Sequence, residues 1–210
     1  MTEQGPSIWQ VSDGRAGNAA QVRAIVAALR TPERWARLSP IVGQAHHEAP
    51  ITLSPRAPWT WLPGARWPFP LAALPADQRT LFQPPWPTLW IAAGRRSAPY
   101  SRWIKRKSKG ATFTIHMLDP KCDPADFDMV ITPEHDGLTS PNVVSTIGSP
   151  SHFSADAIAK ARADFAPLAK DQKTAIIILG GDSKTHRFTD AAATTLLGDL
   201  EGALRDGWGL

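Results

Sequence analysis

Short apolar runs and helical stripes alternate along most of this chain. Residues 7–11 form a brief run that predicts a strand. Over 18–30 the period changes: Val22, Ile25, Val26 and Leu29 recur at steps of three and four, the spacing of one buried helix face. Pro32 is expected to stop that helix, and a weaker strand is expected at 38–42. Residues 88–93 predict the next strand, Gly94-Arg95-Arg96 its exit loop, and Ser97 the N-cap of a helix that ends at Gly110. On that helix Tyr100, Trp103, Ile104 and Lys107 share one face, with Arg102, Lys105 and Arg106 away from it. Strands are expected at 111–118, 127–132 and 142–147. A helix capped by Ser154 follows, with Ile158, Ala161, Phe165 and Leu168 in one stripe. After a polar linker, the β-branched run 174–179 predicts a parallel strand covered on both faces. Thr189 then caps a last helix carrying Leu196, Leu197, Leu200 and Leu204.

Strands alternating with helices imply an α/β fold with a doubly wound, Rossmann-like parallel sheet. Ligands of such sheets gather at the carboxyl ends of the strands. Five polar exits fall there: Asp13-Gly14, Gly94 to Ser97, Asp119-Pro120, Pro133 to Asp136, and Gly180 to Ser183. Their convergence on one rim predicts a binding cleft.

Residues 50–87 break this rhythm. Ten of the twenty prolines and five of the nine tryptophans lie between Pro50 and Trp90, so this insertion is expected to be loop or extended chain. Charge is uneven too. The net +4 is modest, but residues 78–118 hold no acid, and seven Arg or Lys fall between Arg95 and Lys109. A single cysteine, Cys122, excludes an internal disulfide and is expected to be structural. No apolar run approaches the roughly 20 residues that span a bilayer. The N-terminus lacks the pattern of a targeting segment. The expected location is the cytoplasm, peripheral on the inner face of the membrane.

The exit loops carry the candidate chemistry. Gly14, Gly17 and Asn18 sit between a strand and a helix, where glycine amides and the positive helix end suit an anion; a tight turn is the alternative. Arg95 and Arg96 at a positive helix start are locally unfavourable and favour an anionic partner; a solvated face is the alternative. Glu134, His135 and Asp136 place an imidazole between carboxylates, the setting of a general base, or else a polar turn. Gly180, Gly181, Asp182, Ser183, Lys184, His186 and Arg187 suit a phosphate; a long polar connection is the alternative. His46-His47-Glu48 lacks a third ligand at a useful spacing, so no metal is expected.

Taken together, several motifs resemble one family: S-D-G-R-A-G-N-x-x-Q at 12–21, A-A-G-R-R-S-A-P at 92–99, and L-D-P-K-C-D at 118–123. F-D-x-V-I-T-P-E-H-D-G-L at 127–138, P-N-V at 141–143 and L-G-G-D-S-K-x-H-R-F at 179–188 extend the match. The chain resembles the bacterial branch of the mitochondrial-fission ELM-type family, whose members are described as glycosyltransferases or nucleoside-diphosphate-sugar epimerases. The epimerase description fits poorly, because the dinucleotide fingerprint is missing.

The resemblance implies a GT-B-like enzyme of two Rossmann-like domains. Here 1–170 would be the N-terminal domain, and 171–210 only the first βα unit of the second. Family members run on into a full second domain, so an end at Leu210 implies a truncated donor site. The implied activity is metal-independent sugar transfer, without a cofactor, from a nucleotide-diphosphate sugar to a membrane-associated acceptor. His135 or Asp13 would be the base. Gly14, Gly17, Asn18, Arg95, Arg96, Ser97, Glu134 and Asp136 would bind substrate, and the 180–187 loop the diphosphate. The alternative is a non-catalytic membrane-surface or partner-binding module, with Arg102, Lys105 and Arg106 on an anionic bilayer. Expected partners are the nucleotide-sugar, that bilayer and a second copy through 174–210; nucleic acid is not expected.

Overall fold

The computed structural model describes residues 7–42, 50–64, 67–151, 153–165, 174–179 and 187–209. The chain separates into two compact units, Met1–His152 and Phe153–Leu210.

The first unit is built on a six-stranded parallel sheet: β1 (Ile8–Ser12), β2 (Pro50–Thr52), β3 (Leu89–Ala93), β4 (Phe113–Met117), β5 (Met129–Pro133) and β6 (Val143–Thr146). Their spatial order is β2-β1-β3-β4-β5-β6, with every pair parallel. The direction of winding therefore reverses between β1 and β3, the topological switch point where doubly wound folds bind ligands.

Right-handed crossovers then decide which face each connection covers. β1 to β2 runs one way and carries helices α1 (Ala16–Leu29) and α2 (Pro32–Val42). β3 to β4 runs the other way and carries α4 (Ala98–Lys107), on the opposite face. Alternation along the strands matches. Ile8, Leu89, Ile91, Ala93, Ile115 and Met117 pack with Val22 and Val26 of α1. Val11, Trp90 and Ala92 pack with Tyr100 and Ile104 of α4.

The 50–87 insertion travels from β2 across β1 to β3, so it lies on the α4 face. It is not a solvated loop. Leu53, Trp67, Ala73, Leu74 and Phe82 are buried in the core on that face, with Trp59 and Trp86 packed against them. Edge-on contacts tie Trp67 to Tyr100 at 6.1 Å, Phe82 to Trp103 at 5.6 Å and Trp86 to Trp103 at 5.8 Å. Its described regular structure includes β2, three-residue and four-residue 3₁₀ turns at Trp59–Trp61 and Pro70–Ala73, and the short α3 (Ala76–Arg79). With prolines at these spacings the chain fills the space by irregular packing of indoles.

Two other expectations are corrected. Residues 38–42 belong to α2, not to a strand: Pro32 sits at a first helical position, where its missing N–H costs nothing, so it starts a helix just after the previous one stops. Trp35 and Leu38 pack with Leu29 of α1, and the Arg30 guanidinium lies 5.5 Å over the Trp35 ring. Ser97 does not cap α4 with its side chain; its buried hydroxyl donates to the Ala93 and Gly94 carbonyls at 2.8 and 2.7 Å.

The second unit contains α5 (Ala155–Phe165) and α6 (Asp190–Arg205). Ser154 and Thr189 cap them as expected, accepting from the Ala157 and Ala192 amides at 3.1 and 3.2 Å. Residues 174–179 do not form the buried strand. Thr174 makes one isolated parallel bridge to Gly209, while Ile176, Ile178 and Leu179 are 87%, 90% and 59% exposed. No neighbouring strand among the described residues supplies the ladder that the run would need. Neither α5 nor α6 buries a described side chain, and among the described residues no helix is long and apolar enough to cross a membrane.

Candidate functional site at the sheet switch point

The register of the central strands aligns Ser12 with Ala93 and Ala93 with Met117. The next residues, Asp13, Gly94 and Leu118, therefore leave the sheet side by side, with Pro133 on the same rim one strand further on. Four of the five polar exits meet on one edge; the fifth, Gly180 to Ser183, lies outside the described residues, as do Lys184 and His186. Arg187 is exposed. His46 to Glu48 also lies outside.

At the switch point Asp13 has a side chain only 2% exposed. Its Oδ1 accepts from Asn18 Nδ2 at 2.8 Å and from the Arg15 amide at 3.4 Å. Its Oδ2 lies 3.9 Å from the Arg15 Nε. Gly94 faces this pair with φ +90°, a conformation that glycine adopts without penalty. A Cβ on Gly94 would stand 3.1 Å from Asp13 Oδ2 and collide with the Asn18 amide. The glycine thus serves a close approach between two loops. Gly14, with φ +83°, turns the chain out of β1, and a Cβ there would meet Thr52 at 3.2 Å. A Cβ on Gly17 would meet nothing within 4 Å, so no packing requires this glycine. The start of α1 has no side-chain cap and no acid in its first turn, which leaves its positive end available to an anion.

Arg95 and Arg96 follow Gly94. Arg95 is exposed and Arg96 half-buried, and neither has a hydrogen-bond or ion-pair partner among the described residues. They line a cavity of about 270 Å³ together with Pro120 and Lys121 from the β4 exit and Thr60, Trp61, Leu62, Pro63, Gly64 and Trp67 from the insertion. The insertion wall is fixed in two ways. A Cβ on Gly64 would meet Pro99 at 3.0 Å and the Arg95 carbonyl at 3.1 Å, and the Trp67 indole donates to the Leu62 carbonyl at 3.2 Å. Lys121, at φ +56°, donates to Asp119 at 2.6 Å. Burial raises Asp119, but hydrogen bonds and charge from Lys121 outweigh it and hold the carboxyl below its ordinary range.

The β5 exit stands apart. Asp13 and His135 are separated by three strand spacings, roughly 14 Å. His135 is 77% exposed, with Nε2 at 3.8 Å from Asp136 Oδ1. Asp136 Oδ2 accepts from the buried Thr132 hydroxyl at 2.6 Å, which fixes the turn, and Glu134 is exposed. The two base candidates thus occupy different places on the rim, and Arg95 and Arg96 accompany Asp13.

Other motif residues are structural. Asp123 accepts from the Ala125 amide at 2.9 Å, and Asn142 donates to the Pro124 and Phe127 carbonyls at 2.8 and 3.0 Å. Cys122 packs beside Phe127 and Val130; burial pushes its thiol up to about 11 and makes it unreactive. Arg102 and Lys105 are not a free basic face. They pair with Asp126 at 2.6 Å and Asp128 at 3.1 Å.

The cavity wall and a core histidine escape sequence reasoning. His116 is fully buried on β4, 3.5 Å by Nδ1 from Ser101 Oγ, which accepts from the Trp90 indole at 2.8 Å. Burial pushes His116 down to about 3, against a smaller upward pull from Asp119, so it is neutral at pH 7. Only the apolar residues alternating around it signal its burial.

A family model described as mitochondrial fission ELM1 matches residues 16–210. The chain belongs to that family. No curated protein and no solved structure matches it.

Proposed function

We propose that this chain belongs to a glycosyltransferase-like enzyme in which the first unit binds the acceptor and holds the catalytic base. The observation that carries this reading is the Asp13–Asn18–Gly94 arrangement: a buried carboxylate at the switch point, oriented by one amide, against a glycine whose missing Cβ permits the close approach of the two loops. Asp13 Oδ2 takes the proton of the acceptor hydroxyl. The acceptor oxygen attacks the anomeric carbon of a nucleoside-diphosphate sugar. The bond from that carbon to the diphosphate oxygen breaks, and its electrons leave with the nucleoside diphosphate. Asn18 keeps the carboxylate in place while Oδ2 reacts. The diphosphate contact is assigned to the 180–187 loop, whose glycines, hydroxyls and cations suit it. The membrane-surface alternative is weakened because two of its three cations are paired within the unit.

The test is acceptor-dependent nucleotide release from a panel of nucleoside-diphosphate sugars. Asp13→Asn keeps the Asn18 contact but removes the base, and should lower release by about 10²–10⁴-fold. Full release by that variant, or none from any sugar with the native chain, would remove the proposal.

A further inference from the structure

The cavity beside the switch point has an unusual lining. One side is cationic: Arg95 and Arg96 carry charges that nothing among the described residues neutralises, whereas Lys121 is paired with Asp119. The wall from the insertion is apolar: Trp61 and Leu62 are 79% and 50% exposed, so it presents an indole and an isobutyl group to solvent. Trp67, buried in the core, holds this wall through its bond to the Leu62 carbonyl. No carboxylate or carboxamide side chain among the described residues lines the cavity, and the hydroxyl of Thr60 is its one neutral polar side chain there.

These features separate ligand classes. Two unpaired guanidiniums call for a phosphate, which they bind in planar, bidentate fashion. Sugar hydroxyls are most often held by the bidentate groups of Asp, Glu, Asn or Gln, and the described lining offers none of these. Exposed Trp and Leu beside the cations instead suit hydrocarbon. The volume of about 270 Å³ lies just below the roughly 300–1,000 Å³ of pockets that enclose a drug-sized ligand. It accommodates a headgroup and a short length of chain, with the remainder outside.

We propose that this cavity receives a lipid phosphate, its phosphate on Arg95 and Arg96 and the first part of its chain on Trp61 and Leu62. This names the chemistry of the acceptor, and it rests on the acceptor-side reading of the first unit.

The full chain is titrated calorimetrically with farnesyl phosphate, below the concentration at which that lipid aggregates, and in parallel with farnesol, inorganic phosphate and glucose 1-phosphate. Farnesyl phosphate should bind at least tenfold more tightly than each of the other three. Arg95→Gln/Arg96→Gln should weaken it at least tenfold and Trp61→Ala at least threefold. Both variants should keep the native thermal transition, because Arg95 and Trp61 are exposed and Arg96 makes no hydrogen bond or ion pair among the described residues. Equal binding of glucose 1-phosphate would assign the cavity to sugar phosphates and overturn the proposal. So would equal binding of farnesol, equal binding of inorganic phosphate, affinity unchanged in both variants, or no binding of farnesyl phosphate. The two readings fail separately. Tight, variant-sensitive binding with full nucleotide release by Asp13→Asn would sink the catalytic reading alone. Loss of release in Asp13→Asn with no lipid-phosphate binding would sink this one alone.

Discussion

Gly94 and Gly17 both stand on the rim, yet they differ in what a methyl group would meet. At Gly94 it would strike the Asn18 amide and crowd Asp13, at a φ of +90° that side chains rarely adopt. Gly94→Ala should therefore cost about 2 kcal/mol or more in urea unfolding. At Gly17, in the first turn of α1, nothing lies within 4 Å. Gly17→Ala should fall within about 1 kcal/mol of the native protein, on the stabilising side. Equal losses at the two positions would contradict the close-approach argument. His116 supplies the pH dependence. Its folded value of about 3 lies below the unfolded value near 6.5, so between these pH values the unfolded chain binds more protons. Stability then rises with pH across that window, with a slope of up to about 1.4 kcal/mol per pH unit. The carboxylates of Asp119 and Asp128, held below their ordinary range, lose their contribution only in more acid solution. Unfolding titrations between pH 4 and 6.5 should show this slope in the native protein and lose most of it in His116→Leu. An unchanged slope would refute the assignment to His116.

At the scale of elements, β1, β3 to β6, α1 and α4 were legible because each repeats its apolar positions at a fixed period, whereas β2 opens the proline-rich insertion and was not. The rim was legible too: in a parallel sheet every polar exit must fall on the same edge. α2 was misread because Pro32 ends one helix and begins another, and residues 38–42 alone carry too little pattern to decide. The insertion was misread more deeply. Its indoles pack without period, and its contact with the 95–99 segment joins residues far apart in the sequence, so neither the core on that face nor the cavity wall leaves a local signal. Trp67→Ala should accordingly cost about 3–5 kcal/mol, as large core truncations do, while Trp61→Ala should change stability by about 0.5 kcal/mol or less. The acids under α4 make a second contrast. Asp128 accepts from the amide and hydroxyl of Thr114, both at 2.8 Å, besides pairing with Lys105. Burial raises this carboxyl, and those donors together lower it further. Asp128→Ala strands the Thr114 donors and should cost about 2 kcal/mol, whereas Asp126→Ala, which releases only Arg102, should cost less than about 1 kcal/mol. Chemical denaturation of the two variants decides this, and equal losses would contradict it.

For the whole molecule, one sheet and one rim organise the first unit, while the described residues of the second bury little surface. Hydrogen exchange should find the slowest amides at 89–93 and 113–117 and fast exchange at 174–179, where Ile176 and Ile178 are almost fully exposed. The central claim concerns place: the functional end of the first unit is where β1 and β3 leave the sheet in opposite winding directions. Backbone amide NMR of the full chain, titrated with inorganic pyrophosphate, tests it most directly. Within the first unit, the account predicts the largest shifts at Asp13 to Asn18 and Gly94 to Ser97. Shifts confined to Glu134 to Gly137, or to the charged face of α4, would contradict it.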